Sequence, residues 1–122
     1  MSDLYALGPR GEEYAVELLR RRGYQVLQRN YRCRSGEIDV IAWQADTLVF
    51  VEVRAREETA AASPAETVDA KKRARILNAA RHYLARRLGD RPPPNIRYDV
   101  VWITARSGKI LSGGVIPGAF SA

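Results

Sequence analysis

The sequence predicts an α/β domain in which helices pack on a mixed β-sheet. Residues 9–22 and a longer segment ending at residue 88 carry apolar residues at helical spacing. Four segments rich in β-branched and aromatic residues predict strands. The order of helix, three strands, helix and strand is typical of helices that cover a sheet of four to five strands. The predicted strands are residues 24–32, 36–43, 47–56 and 98–104, with 109–116 as a candidate edge strand.

The limits of the helices follow from turn-forming and capping residues. Pro9 suits a first helical turn, and Gly23 ends the first helix. The long helix has two candidate N-caps, Ser63 and Asp69, whose side-chain oxygens can accept a hydrogen bond from the first turn. Residues 57–66 show no periodicity and predict a mobile loop before this helix.

Composition favours one globular domain, residues 1–122. Of the 122 residues, 46% are hydrophobic and 28% are charged, which separates the chain from disordered proteins. No apolar run approaches the length of a membrane span, and the N-terminal residues lack the apolar core of a signal peptide. One Cys and one His form neither an internal disulfide nor a zinc site. We therefore expect a soluble cytoplasmic protein with no membrane partner.

The chain is basic, with a net charge of +6 and 17 Arg among its 20 basic residues. Guanidinium groups match phosphate oxygens, so this bias favours a polyanionic partner, although a Lys-poor genome would produce the same bias. Basic residues at the start of the long helix are candidate phosphate contacts, and an ordinary solvated face is the alternative. The candidate nucleic-acid-binding residues are Arg56, Lys71, Lys72, Arg73 and Arg75.

The stretch LVFVEVRAR, residues 48–56, sets the carboxylate of Glu52 in an apolar strand. A buried charge is costly unless it is paired or bound to a metal. A hairpin turn at residues 45–46 would place Asp39 directly opposite, with Cβ atoms about 5 Å apart. Arg54 follows on the same face. Two adjacent carboxylates repel, so the cluster predicts a Mg²⁺ site, and an ion pair of either acid with Arg54 is the alternative.

Glu12 is a third candidate acid. Its helical spacing from Ala15, Val16 and Leu19 puts it near the buried face of the first helix, from which it could point at the sheet carboxylates. The alternative is a favourable interaction of this acid with the dipole of its own helix.

These residues resemble those of the YraN-like family of small bacterial proteins over about residues 8–120. The GEID and FVEV blocks carry the likeness most specifically, followed by the helix VDAKKRARILNAARHYL, then RYDVV and a terminal GAF. The family is identified as a member of the PD-(D/E)xK nuclease superfamily and is similar to archaeal Holliday-junction resolvases. The resemblance implies a restriction-endonuclease-like three-layer fold with a mixed central sheet.

The resemblance also implies catalytic roles for Glu12, Asp39, Glu52 and Arg54. Asp39 and Glu52 match the ligands of Mg²⁺ or Mn²⁺, and Glu12 matches an acid on the first helix. Arg54 stands where the superfamily has a Lys that orients or activates water. Because Arg stays charged, it could hold a phosphate but could not act as a general base, so we expect slower catalysis than with Lys.

Three functions are compatible with these residues. The first is a metal-dependent DNA endonuclease with its cation on Asp39 and Glu52. The second is a nucleic-acid-binding module on a nuclease fold, which Arg54 in the Lys position favours. The third is a scaffold protein whose carboxylates are satisfied internally. The expected partner is a nucleic acid, with DNA ahead of RNA and branched DNA as one candidate substrate. A homodimer is compatible with the sequence, although no interface pattern indicates one.

Overall fold

Five strands and two helices make up the described part of the chain. A computed structural model describes residues 7–58, 68–91 and 95–122. The elements in chain order are α1 (Pro9–Arg21), β1 (Gln25–Cys33), β2 (Gly36–Gln44), β3 (Thr47–Glu57), α2 (Ala70–Leu88), β4 (Asn95–Arg106) and β5 (Lys109–Phe120). The sheet order is β1–β2–β3–β4–β5, and its strand pairs are antiparallel except for the parallel pair β3–β4.

The two helices cover opposite faces of the sheet. α1 buries Ala15, Val16 and Leu19 completely against one face. α2 buries Ile76 and Tyr83 against the other face. This three-layer arrangement confirms the predicted α/β class with a mixed sheet and is compatible with the restriction-endonuclease-like fold. Neither of these two helices of the described chain is long and apolar enough to cross a membrane.

The central strand β3 is buried on both faces because a helix lies over each. Successive side chains of an extended chain point to opposite faces, so alternate residues join the two cores. The α1 side takes Val49, Val51 and Val53, and the α2 side takes Leu48 and Phe50. Glu52 continues the series that faces α2 and is therefore buried as well.

A tight turn fixes the register of the β2–β3 hairpin. Ala45 in this turn adopts a left-handed backbone conformation with φ of 52°. Residues 40–44 pair with residues 47–51, which confirms the predicted register. The paired residues end at Val40 and Val51, and the next two residues in the same register are Asp39 and Glu52. The hairpin therefore brings the two acids to the point where the strands separate.

Asp69 is the N-cap of α2, as one of the two predictions had it. Its Oδ1 atom accepts a hydrogen bond from the backbone N–H of Lys72 at 2.8 Å. The other candidate, Ser63, lies outside the described residues. So does most of the predicted loop 57–66, whose first residue, Glu57, belongs to β3.

The last two strands extend beyond the limits that the apolar pattern predicts. β4 begins at Asn95, three residues before the predicted start, because it pairs there with Thr47 of β3. β5 confirms the predicted edge strand and continues to Phe120, which pairs with Tyr98. Backbone pairing extends both strands through residues that carry no apolar alternation.

A buried hydrogen-bonded cluster centres on Asp99 of β4. Its fully buried carboxylate accepts hydrogen bonds from the Tyr24 hydroxyl at 2.6 Å, the Arg97 guanidinium at 2.8 and 3.0 Å, and the Gly118 N–H at 2.9 Å. Burial and the hydrogen bond to the Asp99 carboxylate raise the pKa of Tyr24 to about 12. The cluster ties β4 to β5 and to the chain that leaves α1.

We predict that Asp99→Ala is strongly destabilising. The substitution leaves the Arg97 guanidinium without its buried carboxylate, and breaking a buried ion pair in this way costs about 3–5 kcal/mol. Urea unfolding followed by circular dichroism measures the change. The matched control is Asp90→Ala at an exposed position, for which we expect a change below about 0.5 kcal/mol. Equally small changes in both variants would contradict the prediction.

Candidate metal centre

Asp39 and Glu52 meet where β2 separates from β3. The Oδ2 atom of Asp39 accepts a hydrogen bond from the backbone N–H of Val53 at 2.8 Å. The negative charge of Asp39 acts on the neighbouring carboxyl group of Glu52. Only 3% of Glu52 is exposed, whereas Asp39 is half-buried. The structure thus brings together the two acids that the sequence predicts as metal ligands.

Burial raises the pKa of both carboxyl groups. The pKa of Glu52 rises to about 8, first because burial disfavours the charged form and second because of the negative charge of Asp39. Burial also raises the pKa of Asp39. The hydrogen bond from the backbone N–H of Val53 stabilises the carboxylate and lowers this pKa, but the effect of burial is larger. At neutral pH the isolated pair therefore retains a proton, and a nearby cation favours its loss.

Lys72 of α2 contacts this pair. Its Nζ atom lies 3.4 Å from Oε1 of Glu52, and its positive charge lowers the pKa of Glu52 and of Asp39. About 31% of the Lys72 side chain is exposed. Sequence reasoning proposed Lys72 as a phosphate contact and missed its contact with Glu52. The prediction of Asp69 as N-cap could have indicated this contact, because it places Lys72 in the first turn of α2.

Gly36 lets α2 come close to the start of β2. A Cβ atom at this position would lie 1.9 Å from the backbone carbonyl oxygen of Arg75, a distance that no side chain could accept. The first residue of the GEID block therefore docks the helix, and the last, Asp39, supplies a carboxylate. This close approach positions the first turn of α2, with Lys72, over the acids. Sequence reasoning did not assign this role to Gly36.

Arg54 has a different neighbour. The pKa of the Asp69 carboxyl group is lowered, chiefly by the hydrogen bond from the backbone N–H of Lys72 and further by the positive charge of Arg54. The sequence predicts Arg54 as the cation beside Asp39 and Glu52. In the structure, Lys72 is the cation that contacts Glu52. The side chain of Arg54 is half-buried at the junction between β3 and α2.

Glu12 is held by residues of β1. It accepts hydrogen bonds from Nε of Arg29 at 3.0 Å and from Nδ2 of Asn30 at 2.7 Å. Arg29 also pairs with Glu13 at 2.8 Å. Because α1 covers the sheet face opposite α2, the recorded partners of Glu12 differ from those of Glu52. The structure therefore does not place Glu12 in the expected contact with the carboxylate pair.

The other candidate phosphate contacts surround Lys72. Lys71, Arg73 and Arg75 are exposed in the first two turns of α2, and Arg56 is half-buried near the end of β3. The positive end of the helix dipole adds to these charges. A positive surface thus adjoins the buried carboxylates.

The donor set fits a hard divalent cation. Among the described residues, no three His, Cys, Asp or Glu side chains converge as metal ligands, so the protein contributes the two carboxylates of the pair. Mg²⁺ commonly binds one or two protein carboxylates and completes its shell with water and substrate phosphates. With both acids ionised, Asp39, Glu52 and Lys72 together carry one net negative charge, which a cation would offset. Asp39 and Glu52 are therefore suited to hold Mg²⁺.

Comparison with known proteins identifies the family. The sequence profile described as "Uncharacterised protein family UPF0102" matches residues 11–103. The chain belongs to the UPF0102 family. It is 43% identical over 116 residues to a UPF0102 protein of Moorella thermoacetica, covering 93% of each chain. It is 44% identical over 116 residues to a UPF0102 protein of Symbiobacterium thermophilum, covering 95% of this chain and 97% of that one.

The candidate centre lies within the UPF0102 region. A further UPF0102 protein, from Persephonella marina, is 44% identical over 96 residues, covering 79% of this chain and 81% of its own. These matches confirm membership of an uncharacterised bacterial family. The similarity to the nuclease superfamily stays a prediction.

We predict that the stability of the protein falls as pH rises from about 4.5, the ordinary pKa of Glu52, to about 8, its pKa in the folded state. The folded state binds the proton more tightly, so its advantage is complete below 4.5 and is lost through 8. Glu52→Gln cannot ionise and should not show this loss, which amounts to a few kcal/mol at about 1.4 kcal/mol per pKa unit.

Urea unfolding between pH 5 and pH 9 in the absence of divalent cations tests this difference. Glu17→Gln is the matched control, because Glu17 is an exposed acid on α1. The parent and the control should lose stability together. A Glu52→Gln curve parallel to that of the parent would show that Glu52 is not the group responsible.

Proposed function

We propose that this UPF0102 protein is a metal-dependent phosphodiesterase that acts on nucleic acid, with Mg²⁺ or Mn²⁺ on Asp39 and Glu52. The observation that supports this most directly is the pair of adjacent carboxyl groups buried at the end of a hairpin. Such a pair is destabilising unless a cation compensates it, and Lys72 provides only one positive charge. The resemblance to PD-(D/E)xK nucleases agrees with the same two residues.

The proposed reaction is hydrolysis of a phosphodiester. The oxygen of a water molecule forms a bond to phosphorus, and the bond from phosphorus to one ester oxygen breaks. One proton of the water ends on the leaving oxygen and the other passes to solvent. When bound, a divalent cation would supply positive charge to the phosphate and acidify the attacking water. Asp39 and Glu52 would orient these partners, because their backbone elements and the N–H of Val53 fix their positions.

The basic surface around α2 supports nucleic acid as the substrate. Lys71, Arg73 and Arg75 are exposed within two turns of the helix start, in the same segment as Lys72. The net charge of +6 favours association with a polyanion at a distance. DNA is the first substrate to test, with branched DNA included because of the similarity to junction resolvases.

A second candidate function is nucleic-acid binding without cleavage. Arg54 in the position of the superfamily Lys favours this alternative, since Arg cannot accept a proton at neutral pH. A scaffold role with no nucleic-acid partner is the third alternative. Metal-dependent cleavage separates the first function from the second, and salt-dependent binding separates both from the third.

We predict that the parent protein cleaves DNA in the presence of Mg²⁺ or Mn²⁺ and that Glu52→Gln and Asp39→Asn reduce cleavage to background. Both substitutions keep the side-chain shape and remove the negative charge that holds the cation. Labelled four-way junctions, flaps and single strands are the probes, separated on denaturing gels. Asp46→Asn, an exposed acid in the turn of the same hairpin, is the matched control and should leave cleavage unchanged. Cleavage that survives in both site variants would exclude the proposed centre.

We also predict that DNA binding weakens with salt and that Arg73→Ala lowers this dependence. Each phosphate contact contributes about 0.9 to the slope of log affinity against log salt on duplex DNA. The slope is measured by fluorescence anisotropy between about 50 and 200 mM salt, a range in which several phosphate contacts change the affinity by orders of magnitude. Arg86→Ala, at the opposite end of α2, is the control for charge and should keep the parent slope. Identical slopes for Arg73→Ala and the parent would remove Arg73 from the interface.

A further inference from the structure

Three basic side chains at the junction of β3 and α2 have different surroundings. The Nζ atom of Lys72 lies 3.4 Å from Oε1 of Glu52. The charge of Arg54 acts on Asp69, the N-cap of α2. Lys71, next to Lys72 in the helix, is exposed. Of these three cations, Lys72 is the one with a recorded contact to the carboxylate pair.

We propose that Lys72 is a catalytic residue of this centre, whose ammonium group leaves Glu52 when a divalent cation binds and then contacts the substrate phosphate. The inference rests on the proposed function, because it assigns a residue to the same site. It gives Lys72 two successive partners, the carboxylate of Glu52 and a phosphate oxygen.

The position of Lys72 suits a group that changes partners. Its backbone is held, because its N–H donates to Asp69 at 2.8 Å in the first turn of α2. Its side chain is flexible and 31% exposed, whereas the Glu52 side chain that it touches is 4% exposed. The ammonium group therefore lies at the boundary between the buried acids and solvent. A phosphate that approaches the carboxylates from solvent would meet this group.

The charge of Lys72 and that of a divalent cation compete for the same acids. Two carboxylates attract both, and each cation repels the other across a short distance. In the absence of Lys72, the acids would retain their full attraction for the metal. The phosphate would lose one positive charge in the transition state, where negative charge is greatest. Removal of Lys72 should thus strengthen metal binding and weaken catalysis, two effects of opposite direction.

The docking of α2 at Gly36 makes this geometry depend on the helix. The backbone of Arg75 occupies the space that a side chain at position 36 would need, so the start of α2 packs directly against β2. Lys72 lies one turn before this contact. Its backbone is thereby held near the hairpin, and the proposed exchange of partners needs only its side chain to move.

The test compares Lys72→Met with Lys109→Met. Both variants lose one ammonium group, but only the first loses the contact with Glu52, because Lys109 is exposed in β5. Apparent Mg²⁺ affinity comes from titration of the thermal unfolding temperature, without nucleic acid, at pH 9. This pH lies above the pKa of about 8 of Glu52, which limits competition from protons. Cleavage is measured as single-turnover rate at saturating Mg²⁺.

For Lys72→Met we expect Mg²⁺ to bind several-fold more tightly while the cleavage rate falls about 100-fold, a loss typical of one removed transition-state contact. Lys109→Met should retain the Mg²⁺ affinity and the rate within about threefold, as expected where no such contact is removed. Lys72→Arg keeps the charge and should restore part of the rate. Arg54→Lys should leave the rate nearly unchanged, whereas the sequence alone leads us to expect an increase.

The outcomes separate this proposal from the proposed function. Unchanged cleavage in Lys72→Met, or weaker Mg²⁺ binding in that variant, would overturn the assignment of Lys72 while leaving the metal-dependent phosphodiesterase intact. A large increase in rate for Arg54→Lys would likewise return the role to β3. A parent protein that cleaves none of the DNA probes would overturn both the function and the role of Lys72.

Discussion

The repulsion between two buried carboxylates is the constraint around which the centre is arranged. Glu52 is buried and Asp39 is half-buried beside it, and burial raises the pKa of each. The backbone N–H of Val53 and the ammonium group of Lys72 offset part of that cost. A structural ion pair would balance its charges; here one cation faces two acids. When both acids are ionised, this imbalance favours a further positive charge, which is the basis of the proposed metal binding.

The hairpin explains how much of this site the sequence could predict. Strand alternation puts Glu52 on the face that α2 covers, and a tight turn fixes the register that leads to Asp39. Both rules are local, so they hold without knowledge of the rest of the fold. The N-cap at Asp69, one of two candidates, follows from an equally local pattern.

What the sequence could not predict depends on how distant segments pack. Lys72 reaches Glu52 because α2 docks against Gly36, a contact between residues that no periodicity relates. Glu12 has the correct helical phase for burial, yet Arg29 and Asn30 of β1 hold it. Side-chain phase gives the direction of a residue relative to its own element, whereas tertiary packing decides which partner lies there. The match to UPF0102 identifies the family of the chain, whereas these contacts are seen only in the structure.

The parallel pairing of β3 with β4 has a kinetic consequence. Asp39, Glu52 and Lys72 lie within 34 residues of one another in the sequence, so they can meet through short loop closures. The pairing of Glu52 with Val100 of β4 joins residues that are farther apart in the sequence. Contacts at longer sequence separation form more slowly. The acids should therefore come together early, in a solvated hairpin, and become desolvated in a later docking step. Under the proposed metal binding, a divalent cation present during refolding would favour that late step and promote folding before any substrate is bound.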